Sequence, residues 1–391
     1  MVIKILENTE THQERINLIK SAQKNILFIT THIHGDLLIE YLIIINDKLK
    51  LNPDIKIVML FSNHKLNNKS IDLLKELFNT YYNSFSYLID ESFTCNKKII
   101  SNHVKCVIID FGISYLIGGS VCDYSYLNDR NYIPKSVYNF IDNDFLFINE
   151  YNTNLFNICV IYMYQWLKII NINNNLNLTL NSLNSISDSY MNTDTYMNIT
   201  SYELDSYINI IYNNPLSNEN SYYELIKKKL IECKKSVTIC HMYFNLPDDL
   251  LNILKQKIND NVKVTIITSL PHDKSSIITY FYSINNKCKL FKLNNLHLNN
   301  YGYVQPYTTY HKKIIIIDDE IIAGNSNLGY KSFINSDFEI NFVIPITKLT
   351  NDINTIIDND IKYSIKYDKI KVSYYELFIS WLYRKITNLV G

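Results

Sequence analysis

The sequence predicts an α/β protein built as two similar halves, related by a pseudo-twofold axis and sharing one functional site. Three observations carry that prediction. The segment "HVKCVIID" at 103–110 returns as "HKKIIIID" at 311–318, with His, Lys and Asp at the same spacing. Helix-patterned and strand-patterned segments precede each copy in the same order. Each copy is followed by a strand-like run and then by a helix carrying one of the two tryptophans, Trp166 or Trp381.

The elements follow in order. "INLIKSAQKNILFITTHI" (16–33) reads as a helix and then a strand, and "YELIKKKLIECKKSVTICHMYF" (223–244) repeats that layout. "LLIEYLIIINDKLKLNPDIKIVMLFS" (37–62) and "DDLLNILKQKINDNVKVTIITSL" (248–270) each give a helix, a polar turn and a strand. After the two triplets, "NDFLFIN" (143–149) echoes "SDFEINF" (336–342) as a strand. The closing helices are "LFNICVIYMYQWLKII" (155–170) and "YYELFISWLYRKI" (374–386), whose tryptophans are expected to pack on the sheet. Strands alternating with helices predict a mostly parallel sheet flanked by helices in each half. The halves are assigned to 1–171 and 206–391, with an Asn-rich linker or surface insertion at 172–205.

Bulk properties exclude several classes. Of 391 residues 47% are hydrophobic and 19% charged, which supports a buried core and argues against general disorder. The net charge of zero gives no whole-molecule field for nucleic acid. With 32 tyrosines, 8 glycines and only Ala22 and Ala323 as alanines, the composition follows A/T-rich codons, so Asn runs carry little weight. Seven cysteines stand singly with no CxxC, which fits neither a zinc site nor a disulfide framework and suits a reducing compartment. The N-terminus is not patterned as a signal peptide, and no uncharged apolar run approaches the ~18 residues of a membrane span.

The repeated triplet points to chemistry. In a strand alternate side chains share a face, so His103 lies with Lys105 and His311 with Lys313. Such pairs make poor core residues unless something satisfies them. Facing each other across the twofold axis, they form one cationic pocket suited to a phosphodiester. One neutral imidazole attacks phosphorus to give a phosphohistidine, and the other protonates the leaving oxygen and then activates water or an alcohol. The lysines hold the non-bridging oxygens. Asp110 and Asp318 complete the triplets at the far strand ends and are placed with this catalytic set. The scheme needs no metal and no cofactor.

These motifs resemble the phospholipase D superfamily, whose signature is His-x-Lys-x4-Asp followed by a strand ending in a Gly-rich turn with Asn. "HKKIIIIDDEIIAGNSN" (311–327) fits it closely. The resemblance implies phosphate binding by Lys105, Lys313 and Asn327, with Ser120 from the first-half turn Gly118-Gly119-Ser120. It implies that Glu339 orients the opposite imidazole. It also implies His103 as nucleophile and His311 as general acid. The first half departs from the pattern. Cys122 stands where Asn is expected, and Leu146 aligns with Glu339, leaving Asp144 as a substitute acid. The chain is most similar to the poxvirus envelope phospholipase-like proteins and their nuclease-like relatives. That likeness implies phospholipid or a membrane surface as partner, and a place on the cytoplasmic side of host membranes or in a virion envelope. Cys159 is a candidate acylation site, with burial in the core as the alternative. Two further alternatives are a nuclease on single strands, using lysines of "IKKKLIECKK" (226–235) and "NNKCKLFK" (285–292), and a structural protein with a drifted first site. The oligomeric state is left open.

Overall fold

The computed structural model describes residues 2–62, 65–90, 93–95, 98–127, 139–170, 201–202, 208–217, 220–271, 277–293, 298–304, 308–367 and 370–390. Almost all of the expected linker lies outside these residues, as does the side chain of Trp166.

The first half runs β1 (Val2–Glu7), α1 (Thr9–Ser21), β2 (Asn25–His32), α2 (Gly35–Leu51), β3 (Lys56–Ser62), α3 (Asn68–Thr80), β4 (Phe85–Asp90), β5 (Phe93–Cys95), β6 (Lys98–Asn102), β7 (Cys106–Ile109), β8 (Ser114–Gly118), β9 (Asn139–Ile141), β10 (Asn143–Ile148) and α4 (Thr153–Ile170). The second runs β11 (Ser201–Tyr202), β12 (Asn209–Asn213), α5 (Ser221–Glu232), β13 (Ser236–His241), α6 (Asp248–Asn259), β14 (Lys263–Ser269), α7 (Ile277–Phe291), β15 (Leu298–Tyr303), β16 (Thr308–Tyr310), β17 (Lys313–Ile317), β18 (Glu320–Gly324), α8 (Tyr330–Phe333), β19 (Asp337–Pro345), α9 (Thr350–Lys362), β20 (Ser364–Lys366) and α10 (Tyr374–Val390).

The first sheet has the order β1-β10-β8-β7-β2-β3-β4, and the second β11-β12-β19-β18-β17-β13-β14-β15-β20 with β6 and β5 added on β19. Each half is thus a sheet flanked by helices, as expected, but the sheets are mixed rather than mostly parallel. Among strand pairs formed within one half, β2-β3-β4 and β13-β14-β15 run parallel, joined by helical crossovers, and the rest run antiparallel. The triplet strands β7 and β17 turn back directly into β8 and β18, and so large a change of direction in so few residues forces antiparallel pairing.

The sheets pack face to face. Phe145 and Phe147 of β10 meet Phe342 of β19 edge to face, inside a cluster that also holds Ile108, Ile117, Ile314 and Ile340. Separate clusters lie under the helices of each half. Strands such as Ile314–Ile317 are apolar at every position because both their faces are covered. Cys159 belongs to the central cluster, fully buried with Sγ 3.7 Å from that of Cys106, so it cannot present an acyl chain to a membrane. Trp381 corrects the expectation that its helix buries it: α10 packs on α7, and Trp381 is 49% exposed on the outer side. Among the described residues no helix is long and apolar enough to cross a membrane.

Candidate active site

Each histidine is hung from the strand of the other half. β6 pairs in parallel with β19, and the His103 amide donates to the Phe338 carbonyl at 3.0 Å. β16 pairs in parallel with β9, and the His311 amide donates to the Ile141 carbonyl at 2.8 Å. In both cases the next residue is a buried acid. His103 Nδ1 meets Glu339 Oε1 at 3.0 Å, and His311 Nδ1 meets Asp142 Oδ2 at 2.6 Å. A ring that donates Nδ1–H to a carboxylate keeps its lone pair on Nε2, the arrangement a nucleophile or general base requires.

The lysines are placed with the same symmetry. Lys105 Nζ donates to the His103 carbonyl and Lys313 Nζ to the His311 carbonyl, both at 2.8 Å. Lys313 also reaches Asp142 Oδ2 at 3.1 Å. Glu339 is fully buried and accepts from Ser326 Oγ at 2.7 Å, Ser332 Oγ at 2.9 Å and Asn213 Nδ2 at 3.4 Å. His103, Asp337 and Glu339 bring ligand atoms within 4.8 Å of one another, but both oxygens of Glu339 are already engaged in this network. Asn325 ties the halves together, donating to the Lys105 carbonyl at 3.2 Å and to that of Gly118. Ser120 Oγ and Asn327 Oδ1 are buried without a hydrogen-bond partner.

Burial sets the protonation states. It lowers the His103 pKa well below its ordinary value, helped by Lys105, Lys313 and His311. Burial and Lys313 lower that of His311 to about 4, against the pull of Asp142. Burial and the like charge of Lys313 also bring Lys105 down, and burial lowers Lys313. Burial raises Asp142, but Lys313 and His311 outweigh it and hold the carboxyl below its usual range. Burial raises Glu339, with Ser326 and Ser332 opposing. The site therefore holds two neutral imidazoles.

The structure corrects three assignments. Asp110 and Asp318 are not in this cluster. They sit in left-handed conformation (φ 51° for both) at the far strand ends. There Asp110 accepts from the amides of Gln23, Lys24 and Asn25, and Asp318 from those of Lys234, Lys235 and Ser236. Each carboxylate clamps the loop between a helix and the following strand, so the third residue of the motif acts on the fold.

The second correction concerns the missing acid. Asp144 lies opposite Gly118 as Asn341 lies opposite Gly324, so Asp142 is the counterpart of Glu339, and Leu146 is not. The shared "DF" dipeptides had aligned the strands four positions out. Asp144 orients no histidine. It accepts from the Ser120 amide at 3.2 Å and Thr11 Oγ1 at 2.9 Å, and Asn341 accepts from the Ser326 amide in the same way. Gly119 makes room for the true acid, since a Cβ there would overlap the Asp142 carboxylate. The third correction follows from the same register. Val121, not Cys122, occupies the place of Asn327, and the Cys122 carbonyl accepts from His34 as that of Leu328 does from Asn245.

Comparisons with known proteins bear on the domain and the fold. Residues 226–361 match the family model described as "Cardiolipin synthase, PLD-like domain". "Cardiolipin synthase 1" of Bacillus cereus is 26% identical over 265 residues, 67% of this chain and 47% of that protein. The aligned region thus spans about half the length of the curated relative. Among solved structures, phosphatidylserine synthase of Haemophilus influenzae superposes with a TM-score of 0.70 at 16% identity, covering 99% of this chain and 93% of that one. Yeast tyrosyl-DNA phosphodiesterase gives a TM-score of 0.50 at 10% identity, covering 90% of each. Residues 226–361 thus form a phospholipase D-like domain, and the chain as a whole shares the fold of phosphatidylserine synthase.

Proposed function

We propose that the protein is a phosphodiesterase or phosphatidyltransferase acting on phospholipid through a covalent phosphohistidine. The observation that carries the reading is the pair of neutral imidazoles, each held at Nδ1 by an acid from the opposite half, with a lysine beside each. In the mechanism, His103 Nε2 attacks phosphorus and the P–O bond to the leaving alcohol breaks. That alcohol takes a proton from His311, whose pKa rises once an anionic phosphodiester lies beside it. His311, now neutral, removes a proton from water or a second alcohol, which displaces His103 from phosphorus. Lys105 and Lys313 offset the charge that develops on the non-bridging oxygens. The unpaired Ser120 hydroxyl can donate to the same oxygens, whereas the unpaired atom of Asn327 is its amide oxygen, an acceptor, so Asn327 would reach them through its amide nitrogen.

Phospholipid is favoured as substrate by the names of the cardiolipin synthase and phosphatidylserine synthase to which the chain is similar. Of the eight lysines suggested for a nucleic-acid groove, Lys227, Lys229, Lys235, Lys287, Lys289 and Lys292 each pair with a carboxylate, which leaves less free positive charge for a strand. The sequence resemblance extends this reading to a membrane-wrapping role on the cytoplasmic side of host membranes or in a virion envelope, checked by flotation of the intact protein with phospholipid vesicles.

The deciding experiment is hydrolysis of a chromogenic phosphodiester in excess EDTA by wild type, His103→Asn and His311→Asn. Vesicle and single-stranded DNA substrates run in parallel. Turnover lost in both variants, with headgroup release from vesicles, is expected. Turnover that survives either substitution, or that requires added metal, would refute the mechanism.

A further inference from the structure

A third histidine belongs to the cluster. His241 ends β13 and stands opposite Lys313 in the β13–β17 ladder, so the two side chains share one sheet face. Its electrostatic neighbours are Lys313, Asp142 and His311. Burial and Lys313 keep the ring neutral, against the pull of Asp142 and, more weakly, of a backbone contact with Ser326. The Leu328 amide donates to Nδ1 at 3.4 Å, which leaves the proton on Nε2. His241 is 0% exposed, and its Nε2 has no hydrogen-bond partner. Lys105 and Lys313 are almost as buried, at 2% and 4%, so all three side chains are withdrawn from bulk solvent.

The internal repeat shows that the fold does not need a histidine here. Cys240 lies opposite Ile314 as Ile29 lies opposite Cys106, so Thr30 is the first-half counterpart of His241, and the Thr30 hydroxyl satisfies itself on the His32 carbonyl at 3.1 Å. The second half instead keeps a buried N–H unpaired, which is unfavourable. That arrangement persists where an absent group completes it. The second half also carries Asn327 where the first has Val121, so both additional polar groups lie on one side of the site.

We propose that His241 Nε2–H donates to a non-bridging phosphoryl oxygen of the substrate, making the phosphate pocket asymmetric between its two halves. This rests on the phosphodiester reading above. The probe is inorganic phosphate, titrated calorimetrically into the intact protein. Asn places an amide atom near the position of Nδ1 and Gln near that of Nε2, so the two substitutions separate holding the Leu328 turn from donating to phosphate. His241→Gln is expected to bind phosphate within about threefold of wild type, while His241→Asn weakens it by about tenfold or more. Unfolding midpoints of both report any loss of fold. In the unaltered protein, the protonated Nε2 resonance of His241 should shift when phosphate is added to nitrogen-labelled material. Equal binding by all three proteins, loss in the Gln variant alone, or an unmoved resonance overturns the proposal. A wild type that binds no phosphate removes the phosphodiester reading itself, and this donor with it.

Discussion

Asp142→Asn is the sharpest test of how the site works. Asp142 Oδ2 lies 2.6 Å from His311 Nδ1 and 3.1 Å from Lys313 Nζ, with no exposure to solvent. The amide has the same shape and can still accept from Nδ1–H, but the charge is gone. His311 is held at about 4 even with that charge present, so its protonated form becomes scarcer without it. A hydrogen bond to a charged group contributes about 1.5–3 kcal/mol, which corresponds to a rate loss of roughly ten- to 150-fold. The loss should fall on the step in which His311 gives up its proton. An activated nitrophenyl ester needs little protonation on departure, whereas an alkyl ester needs it fully. The assay is kcat/KM on both substrate types across pH 5–9. About a hundredfold loss is expected on the alkyl diester, and tenfold or less on the aryl diester. Equal losses on the two, or a loss under about threefold on both, would refute the assignment of Asp142 as the acid that supports a proton donor.

Three other outcomes follow from the same geometry. His311→Asn with an aryl diester should accumulate protein carrying a phosphoryl adduct on His103, since the leaving group departs unaided while nothing activates the second nucleophile; intact mass before and after mixing decides, and an unmodified protein that has released product counts against the covalent route. Asp318→Ala should lower unfolding stability by about 2–3 kcal/mol by stranding three backbone amides, as read from urea midpoints, with turnover per folded molecule unchanged. The His311 pKa falls from 6.5 unfolded to about 4 folded, so the unfolded chain binds more protons between those values. Stability should therefore decrease as pH drops through that window, by about 3 kcal/mol from this residue, and the urea midpoint of His311→Asn should change less between pH 7 and 4.5.

The repeat, the fold class and the histidines and lysines were legible because they recur at fixed spacing in apolar strands. What the sequence could not convey was register. Asp142 was passed over because "DF" at 144–145 mimics "DF" at 337–338, while the true equivalence depends on which residue sits opposite Gly118 and Gly324. Spacing already put Asp110 and Asp318 at the far strand ends, because a strand carries its two ends to different places, and only their recurrence in the motif kept them with the catalytic set. His241 gave no local signal, since its relation to Lys313 arises only when β13 pairs with β17. Trp381 looked like a core residue by type, and its exposure follows from which face of α10 meets α7.

The exchange of acids between halves has a consequence for the life of the chain. His103 leaves the ribosome long before Glu339, its partner 236 positions later, and Asp142 waits for His311, which follows 169 positions on. During synthesis neither imidazole is oriented, and no isolated half owns a complete nucleophile. On the mechanism proposed above, reactivity would appear only when the second half closes on the first, so the docking of the halves would act as a safety catch. A fragment cut between them should be inert on its own, and mixing the two fragments should restore activity only to the extent that they find each other.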